Sequence, residues 1–140
     1  MGTFRIKINQ ETGTDINVIN NGIAGETLIA GDLCYLNTDG KYWKANANAI
    51  SKCSTELRIA KNDLLADEEG NFITQGSITS SGLTVGVRYY VAALSGQITT
   101  IELESPNLVR YIGTASSETQ LEFNPMDLNY NKSLQEQIDN

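Results

Sequence analysis

Histidine is missing from this chain altogether, and cysteine and proline occur only twice each among its 140 residues. The first absence removes the commonest general base and the commonest transition-metal ligand together. Ser-His-Asp and Cys-His nucleophile systems are impossible without it. The two cysteines, Cys34 and Cys53, have 18 residues between them. They form no disulfide framework and no metal-type pair, and Cys34 sits in an apolar run where a small buried hydrophobe is expected.

Charge is scarce as well. Only 19% of residues are charged, with 17 acids against 10 bases, for a formal net charge of −7. Residues 1–70 carry 10 acids and 7 bases, and residues 71–140 carry 7 and 3, so neither half forms a charged tail. Ten scattered cations make no phosphate-binding patch, which argues against nucleic acid as a partner. No apolar run approaches membrane-spanning length, and the start, Met1 to Ile8, alternates instead of forming a signal-peptide core. Glycine-rich nucleotide motifs are missing too, so no cofactor and no metal are expected.

What remains is a chain 40% hydrophobic with 12 glycines. A single domain of this size buries roughly two-thirds of its unfolded surface. The patterning is that of strands. Residues 3–9 place Phe4, Ile6 and Ile8 on one face and Arg5 and Lys7 on the other. Residues 10–25 are rich in Asn, Thr and Gly, contain Asn21-Gly22, and read as a linker or long loop. Two hairpins follow. Residues 30–36 turn through Asp39-Gly40 into 41–45, and residues 86–91 turn through Ser95-Gly96 into 97–101. Aligning Gly31 with Gly86 superposes Cys34 on Tyr89, which suggests a pseudo-repeat. Residues 56–62, 71–80, 107–114 and 120–124 read as further strands, with an acidic turn at 66–70. The expectation is an all-β fold, a small antiparallel sandwich or barrel of about eight short strands. Its N-terminal arm and linker span 1–24, the β-module 25–126, and the tail or short helix 127–140.

Few residues suggest chemistry. Asp67-Glu68-Glu69 is a solvated turn before it is a calcium site, because three consecutive acids do not match the EF-hand spacing. Glu102 and Glu104 share a strand face, which a wet surface explains without a glycosidase. The aromatics Tyr42, Trp43, Tyr89, Tyr90 and Tyr111 all lie in strand-like runs. Adjacent pairs point to opposite faces, so one member of each is expected in the core and the other outward, at an oligomer interface or on a ligand face.

Taken together, several of these runs resemble a known family. They are Gly31-Asp32-Leu33-Cys34-Tyr35-Leu36 with Asp39-Gly40 and Tyr42-Trp43-Lys44-Ala45; Leu83-Thr84-Val85-Gly86-Val87-Arg88-Tyr89-Tyr90-Val91 with Ser95-Gly96-Gln97-Ile98-Thr99-Thr100; and Leu108-Val109-Arg110-Tyr111-Ile112-Gly113-Thr114-Ala115 with Leu121-Glu122-Phe123-Asn124-Pro125. In order and spacing they resemble the small β-modules of tailed-bacteriophage structural proteins, such as head fibres and capsid decoration proteins. Val85 stands where a proline is usual, and Thr114 where a bulky residue is often found.

The resemblance implies a virion protein of the capsid surface, made in the bacterial host cytoplasm, and not an enzyme. It implies binding to the major capsid protein and self-association, with a trimer favoured. The N-terminal strand, Phe4, Arg5, Ile6, Lys7 and Ile8, is the expected capsid anchor, unless it completes the module's own sheet. The alternative is a receptor- or glycan-binding module of a phage tail fibre.

Overall fold

The structure, a computed structural model, describes residues 3–7, 16–101 and 109–125. It is all-β and antiparallel. The strands are β1 (Thr3–Phe4), β2 (Ile16–Ile23), β3 (Leu33–Leu36), β4 (Tyr42–Lys44), β5 (Leu57–Ala60) and β6 (Glu69–Thr79). After them come β7 (Arg88–Val91), β8 (Ile98–Thr99), β9 (Tyr111–Ser117) and β10 (Gln120–Phe123). A single 3-10 turn, Ile50–Lys52, is the only helical piece among the described residues. The short helix expected in the tail lies outside them.

The strands form one sheet in the order β1-β8-β7-β9-β10-β6-β5-β3-β4, with β2 added to β6. The eleven-residue β6 organises it. Ile73 has partners in both β2 and β5, and Gly76 has partners in both β2 and β10. β2 therefore takes one edge of β6, while β5 and β10 follow each other along the opposite edge. The sheet thus passes from one half, β5-β3-β4, to the other, β10-β9-β7-β8-β1. The two halves close over a shared core in a sandwich-like arrangement. Leu33, Tyr35, Leu57 and Ile59 from the first half meet Tyr89, Val91, Ile98, Ile112, Leu121 and Phe123 from the second. A smaller cluster, Leu28, Cys34, Tyr42, Leu64 and Phe72, covers the other face of β3 to β6.

Backbone hydrogen bonds fasten the two halves at one end. The Leu33 amide donates to the Gly96 carbonyl (3.0 Å), the Gly96 amide to Ala45 (2.8 Å), and the Ala47 amide to Ala92 (2.9 Å). The turn of the second hairpin is thereby stitched onto the first. Both hairpins form, and Gly31 and Gly86 both have positive φ, 99° and 80°. The repeat stops at the backbone. Cys34 faces the small cluster while Tyr89 faces the main core, so aligning the glycines inverts the faces. A one-residue offset is enough to do this in a strand.

Two expectations need correction. Residues 16–23 form β2, not a linker. Its alternation is hidden in the sequence because bulges interrupt the pairing with β6 between Asn17 and Val18 and between Ile19 and Gly22. Asn21-Gly22 is no turn either: Gly22 lies where any Cβ would strike the Phe72 ring. The strand expected over 107–114 begins at Tyr111 and runs to Ser117.

The N-terminal segment is likewise no free arm. β1 pairs with β8, Thr3 opposite Thr99 and Phe4 opposite Ile98. Residues 5–7 then cross the fold, and Ile6 is 1% exposed within the main core. Its carbonyl oxygen occupies the space a Gly31 Cβ would need, at a backbone conformation that already disfavours any side chain.

Burial of this kind makes the segment structural. Ile6→Ala is expected to cost about 2–5 kcal/mol in denaturant unfolding. Gly31→Ala should destabilise by more than about 1 kcal/mol through strain and overlap together. Deleting residues 1–20 removes Ile6, Ile16 and Val18 from the core and should abolish the cooperative transition; a truncated chain that melts like the full one would contradict the packing described.

Candidate functional site

Four of the five residues expected to form the anchor come together. Phe4, Arg5, Ile6 and Lys7 line a surface groove of about 370 Å³ with Ala30 and Gln97; Ile8 lies outside the described residues. The inside-outside alternation read from the sequence accounts for their directions. Ile6 is in the core, and Phe4 packs edge-on against Tyr89, with centroids 5.9 Å apart at 84°. Arg5 and Lys7 point outward. The Arg5 Nε donates to Asp32 Oδ1 at 3.1 Å yet leaves 43% of its side chain exposed, whereas the Asp32 side chain is only 3% exposed. The Lys7 amide donates to Ser80 Oγ at 3.0 Å, and the residue is exposed.

This groove adjoins β1, the terminal strand of the sheet path among the described residues. The other edges are managed. Along β4, the Gly25 amide donates to the Tyr42 carbonyl (2.8 Å), and Glu26 Oε2 accepts the Lys44 amide (2.8 Å), so both groups that could recruit a strand are occupied. β2 carries two bulges, which twist an edge away from regular pairing.

The aromatics do not make one outward face. Tyr42 is buried and stacks on Phe72, 4.6 Å between centroids at 26°. Tyr89 is buried in the core, and its hydroxyl accepts the Thr84 amide at 2.9 Å. These two are therefore withdrawn from any interface. Tyr90 is also buried, so the expected split between an inner and an outer member fails for this pair. The two side chains do point to opposite faces, but both faces are covered at that position. Trp43 and Tyr111 remain half-exposed. The Trp43 indole donates to Asp39 (3.1 Å) and its ring lies against Gly25. Tyr111 meets Tyr90 edge-on at 6.3 Å and shares a 2.8 Å hydrogen bond with Thr114.

Arg110 is a residue that sequence reading passed over. It is 6% exposed. Its Nη1 donates to the carbonyls of Cys53 (2.8 Å) and Thr55 (3.2 Å), and its Nη2 to that of Pro125 (2.7 Å). Burial pushes the guanidinium pKa down, while Nε is buried with no partner. The side chain clamps the loop after the 3-10 turn to the end of β10. It also forms one wall of a cleft of about 400 Å³ lined by Leu36, Thr38, Ser54 and Glu56. An isolated arginine just before a strand has no sequence signature that marks it as buried, so nothing in the pattern could have found it.

The acids of the 66–70 turn hold that turn in place. Asp67, at φ 72°, receives Lys41 Nζ at 2.7 Å, and Glu68 Oε1 accepts the Leu65 amide at 2.8 Å. Glu102 and Glu104 lie outside the described residues. Among the described residues, no three Cys, Asp or Glu side chains gather as a metal site, and no helix is long and apolar enough to cross a membrane. Both cysteines are free and buried. Burial raises the Cys34 thiol well above its ordinary value, helped by Asp32 and Glu26. Burial also pushes Cys53 up to about 11, against a smaller lowering by Arg110. Neither is a thiolate at neutral pH, which is what a nucleophile would require.

No protein-family model, no curated protein and no solved structure matches the chain.

The thiols generate a prediction. The fold holds the Cys53 proton more tightly than the unfolded chain, whose thiol titrates near the ordinary 9.0. Its contribution to stability is therefore intact below pH 9.0 and declines as pH rises toward about 11. Cys53→Ala should flatten this alkaline decline in urea midpoints measured across pH 8–11. Neither thiol should react with a maleimide at pH 7 until denaturant is added.

Proposed function

We propose that this chain is a structural protein of a phage virion, attached to the capsid exterior through its N-terminal edge. The supporting observation is the groove at β1. There the sheet ends without a further strand among the described residues, and two cations lie beside it on an acidic chain, the exposed Lys7 and the half-exposed Arg5 that pairs with Asp32. A sheet edge of this kind takes an extended segment of a partner through backbone hydrogen bonds. The flanking cations select a segment that bears acids and repel a basic one. In this reading the partner is the major capsid protein, and the acids spread over the rest of the surface keep copies soluble and apart until they are docked.

The family resemblance supports the same reading through the residues that carry it. Gly31 and Asp32 sit at the junction of the N-terminal segment, Gly96 at the stitched turn, and Arg110 at the clamp. These four matched positions thus help fix the fold against which the N-terminal edge is held. Function on a virion then follows from repetition. A modest single contact suffices when many copies are held on one lattice, and self-association, a trimer above all, multiplies it further.

Substitutions confined to the exposed edge provide the test. Thr3→Asp with Lys7→Glu should leave the thermal midpoint nearly unchanged, because both side chains are exposed. The same pair should weaken co-sedimentation with capsids of the encoding phage at least tenfold, and raised salt should weaken the wild-type contact. Undiminished capsid binding by the double variant would overturn the assignment.

A further inference from the structure

The loop before β3 and the loop after β5 meet beside the small cluster and enclose a second groove. The Leu28 amide donates to the Leu64 carbonyl (2.8 Å) and the Leu64 amide to the Leu28 carbonyl (2.9 Å), so one antiparallel bridge ties the two loops together. Leu28 and Leu64 are buried and form an apolar floor. Their neighbours Ile29 and Leu65 stay 42% and 63% exposed and line the same groove, which measures about 230 Å³. Apolar side chains scattered singly over a surface are ordinary. Two that share a groove over an apolar floor leave room for a large side chain of a partner, the geometry in which interface anchors are found.

The rim of this groove is acidic and fixed. Asp63 Oδ1 accepts the Ala30 amide and Glu68 Oε1 the Leu65 amide, each at 2.8 Å. The Glu68 amide closes the same turn onto the Leu65 carbonyl at 3.0 Å. Each carboxylate therefore holds one wall in place, and both residues are exposed. Neither enters a salt bridge among the described residues, and none of the described lining residues is a lysine or an arginine. The adjoining groove, which begins at Ala30 where this one ends at Ile29, is lined instead by Arg5 and Lys7. The two grooves thus differ in sign, so the acidity here is local and not merely the chain's overall excess.

We propose that the Ile29–Leu65 groove docks an extended segment of a partner protein in which a large apolar side chain is flanked by lysine or arginine. The apolar side chain lies between Ile29 and Leu65 over the leucine floor, and the flanking cations meet Asp63 and Glu68. An acidic segment is repelled by the same two carboxylates. Because both walls are already hydrogen-bonded, little loop order is lost on contact. This site does not rest on the capsid reading, since the groove at β1 selects a segment of the opposite charge.

The test is a titration of the isotope-labelled full chain, followed by amide NMR shifts, with a capped pentapeptide carrying leucine between two lysines. Saturable shifts are expected at Ile29, Ala30, Leu65 and Glu68. Replacing the peptide's lysines by glutamates, or its leucine by glycine, should weaken binding at least about tenfold. In the protein, Leu65→Ser should do the same. Asp63→Asn with Glu68→Gln keeps the oxygens that hold the Ala30 and Leu65 amides and removes only the charge, so it should weaken binding about threefold or more. Unchanged shifts elsewhere verify that each variant is folded. The edge variant Thr3→Asp with Lys7→Glu should still bind this peptide, so failure here and failure of capsid attachment are read separately. The proposal is overturned if these four amides show no saturable shift, if the glutamate peptide binds equally, or if the protein variants bind like the wild type. It is also overturned if light scattering shows the groove closed by a second copy that Leu65→Ser releases.

Discussion

The fold closes around one buried carboxylate. Asp32 is 2% exposed, and three separate stretches of chain meet on it. The Ile29 amide donates to one oxygen at 2.8 Å and the Arg5 Nε to the other at 3.1 Å. Gly96, at the turn of the second hairpin, packs so closely that a Cβ there would press on the same carboxylate. The Asp32 carbonyl meanwhile accepts the Ala60 amide from β5. A charge taken out of water is tolerated only when it is paired and hydrogen-bonded. The pairing partner lies 27 positions away in the N-terminal segment. Desolvation of Asp32 therefore requires the N-terminal crossing, and the crossing seats Ile6 in the core.

That dependence bears on the proposed capsid attachment. The residues expected to form the anchor are divided by direction: Phe4 and Ile6 pack into the fold, Arg5 lies half-exposed while pairing with the buried Asp32, and Lys7 is exposed. In the proposed reading, anchor and scaffold are the same segment seen from two sides. A partner that pairs with this edge gains a rigid strand fixed by the core, so little ordering entropy is lost on docking. The remaining edges oppose indiscriminate pairing, β4 through Gly25 and Glu26 and β2 through its bulges.

The interior is chemically quiet, and its polar groups serve geometry. Arg110 spends its terminal donors on three backbone carbonyls, and the two thiols keep their protons. The ordered polar side chains instead lie outward, beside the N-terminal groove and on the rim of the Ile29–Leu65 groove. That distribution leaves the core to rigidity.

The sequence alone determined the class of fold, because period-two alternation and glycine-bearing turns are local signals that hold whatever the chain packs against. Asp39-Gly40 and Ser95-Gly96 mark real hairpins, and the Arg5–Lys7 alternation assigns the correct faces to the N-terminal strand. Three matters were decided only by tertiary structure. β2 exists because β6 offers it an edge, and its bulges erase the alternation that would have announced it. Tyr42, Tyr89 and Tyr90 are buried because the sheet is covered on both sides, whereas periodicity tells one face from the other without telling which is covered. The roles of Asp32 and Arg110 depend on partners 27 and up to 57 residues distant. Burial of a charge is a property of what surrounds it, and pattern along a chain does not encode those surroundings.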